Sequence, residues 1–326
     1  MKRALITGVA GQDGSYLAEL LVSKGYTVFG LVRPGADLEY IPKAVQIIYG
    51  DMADEIFLRK VVQESRPDEV YNLGGVSDLK TAYADPVLTM KVNYDAVRIL
   101  LDEAVKVNAG VRFLQASSSE IFIPRSEPLD EHAPRDWGTK NPYAQAKMLA
   151  DRDVIQSAQA KGVFACSAFL FNHESIRRHK SVTTKIIRTL RDIKEGKEER
   201  LTIGNVDMYR DWGFAGDYVR AMWNMLQLEK PEDFVVATGQ LHSVKECIEI
   251  VSSRLGVSLA WHGQGADVYA TDTSGSVRVK VSPEFYRIAD THPKVGDTSK
   301  AQQLIGWKLM HDFRQLIIGM VDTMIN

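Results

Sequence analysis

The stretch RALITGVAGQDGSYLAELL, residues 3–21, decides the fold. Arg3 to Thr7 is a short apolar run of β-formers and reads as a buried strand. Three glycines follow at once, Gly8, Gly11 and Gly14, in GxxGxxG spacing. Leu17, Leu20 and Leu21 then recur at helical spacing, and Lys24-Gly25 ends that helix. A strand, a glycine turn and a helix in this order let backbone approach an anion closely. The free N–H groups of the helix N-terminus then point at it. This is the arrangement that holds a dinucleotide pyrophosphate.

Working outward, the same alternation continues. Thr27–Val32, Val45–Tyr49, Glu69–Leu73, Val111–Ser117 and Val163–Phe171 read as further strands. Long helices are predicted from near Pro86 to Val107 and from Tyr143 to Lys161. Apolar strands separated by helices imply a parallel sheet covered on both faces. After Phe171 the rhythm changes. Ser181–Glu195 is a basic amphipathic helix, Val244–Leu255 and Asp312–Met324 are helices, and Gly263–Ser276 reads as a loop. Phe234–Ala237 is one more strand, placed back in the large sheet. The fold class is therefore α/β: a doubly wound parallel Rossmann sheet with a smaller, interleaved C-terminal α/β substrate domain. The boundary is expected near Asn172, giving 1–171 and 172–326, with a segment near 205–240 returning to the first domain.

Composition narrows the classes. The 326 residues are 45% hydrophobic and 25% charged, with 40 Lys plus Arg against 42 Asp plus Glu. A net charge of −2 argues against nucleic acid as a partner. Charges interrupt every apolar run before a membrane-spanning length, and the start is not a signal peptide. The two cysteines, Cys166 and Cys247, stand in apolar surroundings, as buried thiols of a cytoplasmic protein do. The seven histidines have no metal-ligand spacing, so no metal is expected.

The end of the second strand selects the cofactor. An acid there would bind the ribose 2′-hydroxyl of NAD; the residue is Arg33, which suits a 2′-phosphate, so the expectation is NADP. Asp51 and Met52 follow the third strand and are placed beside the adenine. Leu73 ends the fourth strand, and Gly74 and Gly75 after it let the cofactor pass close to the backbone. Gln12, Asp13 and Ser77 complete the cofactor set, and Ser77 is also assigned to the substrate. Tyr143 and Lys147 form a YxxxK pair, four apart and so on one helix face. The ammonium can lower the tyrosine pKa and hold the nicotinamide ribose, and the tyrosine can act as base on a sugar hydroxyl. Ser117, Ser118 and Ser119 end the fifth strand, and Glu120 follows them at the carboxyl edge of the sheet, where ligands bind.

The chain resembles the extended short-chain dehydrogenases/reductases and, more narrowly, the GDP-mannose 4,6-dehydratase family. The motifs are TGVAGQDGSYLAELL (7–21), QASSSE (115–120), NPYAQAK (141–147), LFNHES (170–175), GNVDMYRDWGFAGDYVRAMW (204–223) and ATGQLHSV (237–244). The resemblance implies that Tyr143 takes the C4 hydroxyl proton while NADP takes hydride, with Ser118 sharing a hydrogen bond. Glu120 then removes the C5 proton, water leaves from C6, and hydride returns to C6. It also implies His173 and Arg178 on NADP, and Asn172, Lys185, Arg210 and Arg287 on the nucleotide sugar. Arginine suits a pyrophosphate because its fork donates paired, charge-assisted hydrogen bonds. A homodimer or homotetramer is implied as well.

Departures from the family pattern cluster near the sugar. Gly74, Gly75 and Val76 replace the usual AAQ, Leu88 an expected tyrosine, Ile176 a proline, and Ile288-Ala289-Asp290 the usual Pro-Thr-Glu. The loop after Arg33 is also shorter. The reading is a nucleotide-sugar 4,6-dehydratase acting on GDP-mannose. The alternatives are a dehydratase, epimerase or reductase acting on another nucleotide-linked sugar, such as a GDP-heptose, and, more remotely, a dinucleotide-sensing module without catalysis.

Overall fold

The computed structural model describes residues 1–286 and 293–325. Strand β1 (Arg3–Thr7) leads into α1 (Gln12–Ser23), then β2 (Thr27–Val32) and β3 (Gln46–Tyr49). Next come α2 (Glu55–Ser65), β4 (Glu69–Asn72), α3 (Leu79–Ala84), α4 (Pro86–Met90) and α5 (Ala96–Val107). A π turn over Lys91–Asp95 joins α4 and α5 into one continuous helix. Then follow β5 (Arg112–Ser118), α6 (Pro142–Leu149), a π turn over Ala150–Gln156, α7 (Ser157–Gln159) and β6 (Phe164–Leu170).

The remainder holds β7 (Asn172–Glu174), α8 (Val182–Lys194), β8 (Leu201–Ile203), β9 (Tyr209–Arg210), β10 (Trp212–Phe214) and α9 (Ala215–Met225). It continues with β11 (Phe234–Val236), β12 (His242–Ser243), α10 (Val244–Leu255), β13 (Ala260–His262), β14 (Tyr269–Thr271), β15 (Val277–Val281), α11 (Ser299–Ile305) and α12 (Phe313–Ile325).

Seven strands form one sheet in the order β11-β6-β5-β4-β1-β2-β3, every pairing parallel. The chain winds outward from β1 to β3, then crosses back to β4. The switch point therefore lies between β1 and β4, and the crevice above their carboxyl ends is where ligands of such sheets bind. Leu17, Leu21, Tyr218 and Met222 cover one sheet face, and Leu58, Val62, Val97, Leu100 and Ile155 the other. Burying each such leucine stabilises the fold by roughly 1.5–3 kcal/mol.

A second core joins Ile186, Leu190, Trp212, Val251 and Leu316 beneath a four-stranded sheet, β13-β14-β15-β8. The expected loop at 263–276 is corrected here: it contains β14. Asp272 Oδ1 accepts from the amides of Ser274 and Ser276 and turns the chain tightly from β14 into β15. The polar residues belong to that turn, and the strand itself is too short to show alternation. The long helix predicted from Tyr143 to Lys161 starts at Pro142, ends at Gln159 and passes through a π turn.

Candidate active site

Gly8 sits at φ +69° at the carboxyl end of β1, where a Cβ would lie 2.8 Å from Gly74 Cα. A Cβ on Gly14 would lie 2.3 Å from Gly8 O. These glycines are therefore required by close approach of backbone to backbone. Gly11 caps α1 without any side-chain hydrogen bond, leaving the helix N-terminus to a ligand.

Above this turn opens a cleft of about 410 Å³. It is lined by Gly8, Gly11, Gln12, Asp13, Gly14, Leu73, Gly75, Ser77, Ser117, Ser118, Ser119, Glu120, Tyr143, Lys147, Asn172, His173 and Arg178, among others. The fold thus gathers residues from five separate segments into one cavity. Ser117 Oγ is buried there with no hydrogen-bond partner among the described residues. An orphaned hydroxyl, an uncapped helix start and a cradle closed to Cβ atoms all fit a dinucleotide.

Asn141 caps α6, its Oδ1 accepting from the Tyr143 amide at 3.1 Å, and Pro142 occupies the first turn. This cap fixes where Tyr143 and Lys147 face. Lys147 Nζ donates to the Ala116 carbonyl oxygen at 2.7 Å, and burial pushes its ammonium down to about 8. The expectation that Lys147 lowers the Tyr143 phenol is not met. Burial raises that phenol above its ordinary value, the Ser118 hydrogen bond opposes this only in part, and Glu120 adds to the rise. Lys147 Nζ stands 5.8 Å from the Tyr143 ring centroid, with its charge spent on the β5 carbonyl. Ser118 Oγ also accepts from the Glu120 amide at 3.2 Å. One serine thus contacts the backbone of the acid and the side chain of the phenol.

The HES residues after Asn172 lock the cleft to α1. His173 Nδ1 lies 2.7 Å from the Phe171 carbonyl oxygen, and its Nε2 faces Asp13. Gln12 Nε2 donates to His173 O, and Ser175 Oγ donates to Gln12 Oε1. Arg178 donates to the buried Glu174 at 3.4 Å and lines this cleft together with a second one of about 440 Å³. Asn172, Ser181, Gly204, Arg210, Trp212 and Phe285 also line the second cleft.

Not every expected residue meets these cavities. Arg33 is exposed at the end of β2. Asp51 is exposed, its Oδ1 accepting from the Ala53 amide, and Met52 is buried with its sulfur beneath Gly74. Gly74 abuts Gly8 rather than the open cleft. Lys185 lines neither cavity: its Nζ donates to Thr202 O and lies 5.6 Å from the ring centroid of Phe285. Arg287 lies outside the described residues. The fold also brings Asp37, Glu39 and His179 together at the surface, which no spacing suggested, with Arg188 donating to His179 Nδ1.

Sequence reasoning missed several residues that build the site. Asn93, on the first π turn, accepts from the Val76 amide and donates to the Val76 carbonyl, fixing the Gly75 loop. Arg177 stacks on Tyr16 and pairs with Glu19 on α1. Asp211 is buried and accepts from the amides of Thr238, Gly239 and Gly296. Asp211 stands inside a motif that was quoted, and that was its only signal.

Comparison with known proteins agrees with this architecture. The family model described as GDP-mannose 4,6 dehydratase matches residues 5–320. The chain is 41% identical to a GDP-mannose 4,6-dehydratase of Vibrio cholerae, over 94% of this chain and 89% of that one. It is 40% identical to the human GDP-mannose 4,6 dehydratase, over 98% of this chain and 90% of that one. A UDP-glucose 4-epimerase of Thermus thermophilus solved with NAD shares the fold at TM-score 0.79 and 24% identity, covering 98% of both chains. RMD from Pseudomonas aeruginosa, solved with NADPH, does so at TM-score 0.78 and 21% identity, covering 99% of this chain and 98% of that one.

Proposed function

The chain belongs to the GDP-mannose 4,6-dehydratase family, and from that premise we propose that it is an NADP-dependent hydro-lyase that converts GDP-mannose to GDP-4-keto-6-deoxymannose. The observation that carries this reading is that Glu120 lines the same cleft as Ser118, Tyr143 and Lys147. A simple epimerase of this fold has no need of a carboxylate at that place.

Gly8, Gly11 and Gly14 would hold the pyrophosphate at the α1 N-terminus, the exposed Arg33 the 2′-phosphate, the exposed Asp51 the adenine, and Lys147 the nicotinamide ribose, while Met52 stays buried beneath Gly74. Once bound, NADP would supply a cationic ring that favours the Tyr143 phenolate and the hydride chemistry that links C4 and C6. Tyr143 takes the C4 hydroxyl proton on its phenol oxygen, and Ser118 orients that hydroxyl. The new C4 carbonyl acidifies C5. Glu120 takes the C5 proton, the C5–H electron pair becomes the C5=C6 bond, the C6–O bond breaks, and the Glu120 proton leaves with that oxygen as water. A proton delivered to C5, balanced by the one that Tyr143 took from the C4 hydroxyl, completes the product and resets both residues. Arg210 and Asn172 in the second cleft suit the GDP end, with Arg178 between the two cavities.

We divide the chain at Asn172 into a cofactor part and a sugar-nucleotide part, place it in the cytoplasm, and expect a homodimer or homotetramer. The test is a screen of GDP-, dTDP-, UDP- and CDP-sugars, with a GDP-heptose among them, by mass detection. Loss of one water from GDP-mannose without consumption of NADPH is expected. Stoichiometric NADPH oxidation, or C4 inversion alone, would overturn the assignment.

A further inference from the structure

The residues that follow the undescribed segment approach the site from the far end of the sequence. Val295 O accepts from the Leu129 amide at 2.8 Å, and Leu129 O accepts from the Asp297 amide at 2.9 Å. Between these bonds, the Gly296 amide donates to Asp211 Oδ2 at 3.1 Å. A Cβ on Gly296 would lie 2.3 Å from Ala237 Cβ, so this backbone is seated tightly on β11 and its continuation. The residue just before this clamp is Lys294. Its Nζ stands 4.0 Å from Glu120 Oε2, with side-chain exposures of 20% for the lysine and 47% for the glutamate.

An ion pair of this exposure adds little to stability. Its consequence lies elsewhere. Glu120 projects from a short turn, its side chain is half-exposed, and nothing on its own turn fixes the carboxylate. Fixing such a group costs rotamer entropy at every turnover unless something orders it beforehand. Lys294 directly precedes a segment that backbone bonds at Val295, Gly296 and Asp297 anchor, and its ammonium reaches the carboxylate from outside the turn that carries Glu120. Asp211 links this anchor to Thr238 and Gly239 and directly follows Arg210 of the second cleft.

We propose that Lys294 is a positioning residue for Glu120, its ammonium holding the carboxylate in the orientation from which it takes the C5 proton and passes it to the leaving C6 oxygen. The proposal rests on the dehydratase reading above. It changes no atom balance in that step; the lysine keeps its own protons throughout.

The test uses the NADP-loaded enzyme with GDP-mannose and with GDP-mannose deuterated at C5. Lys294→Met should lower kcat about five- to tenfold, as loss of one ordering contact does, and leave KM within about twofold. The isotope effect on kcat should rise in this variant, because C5 proton removal becomes slower than the steps around it. Lys294→Arg should restore most of kcat and the wild-type isotope effect. In a Glu120→Gln background, removing Lys294 should lower kcat no further, since the carboxylate that it orients in this step is gone. The cofactor dissociation constant and melting temperature should match wild type in both lysine variants. A Lys294→Met enzyme with wild-type kcat and isotope effect would overturn the proposal, and so would a rise in KM alone, or equal losses with and without Glu120. Failure of the dehydratase reading shows separately, on the wild type: no loss of water from GDP-mannose, or full turnover by Glu120→Gln.

Discussion

His173 Nε2 lies 2.9 Å from both carboxylate oxygens of Asp13, bridging 160 residues of sequence. Burial alone would push the imidazolium down, but the Asp13 charge, the bond to it and the bond to Phe171 O raise His173 above its ordinary 6.5. Burial likewise disfavours the Asp13 carboxylate, yet the His173 charge and bond, with Gln12 and Arg178, hold it below 3.8. A group raised on folding stabilises fully below its unfolded value and loses that contribution as pH rises through its folded one. Asp13, lowered on folding, contributes above 3.8 and loses its share as pH falls below that. The pair is therefore at full strength between 3.8 and 6.5. Denaturation of the apo protein across pH should show stability falling above that window. His173→Asn should flatten this slope; parallel curves would refute the coupling.

Lys147 gives the opposite sign. Its folded ammonium is held at about 8 by burial, against 10.5 for an exposed lysine. Between those values the unfolded chain binds the extra proton, so apo stability from this group rises with pH. Lys147→Met should remove that rise and be more stable than wild type at neutral pH, while losing activity by about 10²-fold or more. A variant that is both less stable and fully active would contradict this account.

Gly14→Ala places a Cβ 2.3 Å from Gly8 O and 2.6 Å from Val9 Cα, both rigid backbone. The expected result is a loss of about 2–4 kcal/mol and of dinucleotide binding, read by denaturation and by cofactor titration. Gly162→Ala is the control for strain alone: φ is +79° and no atom lies within 4 Å, so the cost should be only about 1 kcal/mol with binding kept.

Arg33 is the residue we assign to cofactor choice. Arg33→Asp should weaken NADP at least about tenfold and leave NAD unchanged or tighter, by direct titration. Because Arg33 is exposed, folding should not be affected. Equal weakening of both cofactors would remove the 2′-phosphate argument.

Much of this was legible in the residues themselves. Strands buried on both faces are continuous apolar runs, so β1, β2, β4, β5 and β6 announce themselves within a residue or two of their bounds. Glycines between a strand and a helix, and Tyr143 four residues before Lys147, carry their geometry in their spacing. The two π turns left no trace, because inserting one residue into a helix barely disturbs its apolar face. Nor did β13 and β14, whose three-residue strands lie between turn residues. Asn93, Asp211 and Lys294 matter through backbone groups or side chains remote in sequence, and no local pattern encodes such meetings.

Arg178 borders both cavities while leaning on one buried carboxylate. An anion placed in either cavity thus alters the pull that the other exerts on its own anion, and linkage makes the influence mutual. A damaged sugar pocket should therefore betray itself as a leaky nicotinamide, released midway through the cycle, before anyone measures the sugar at all.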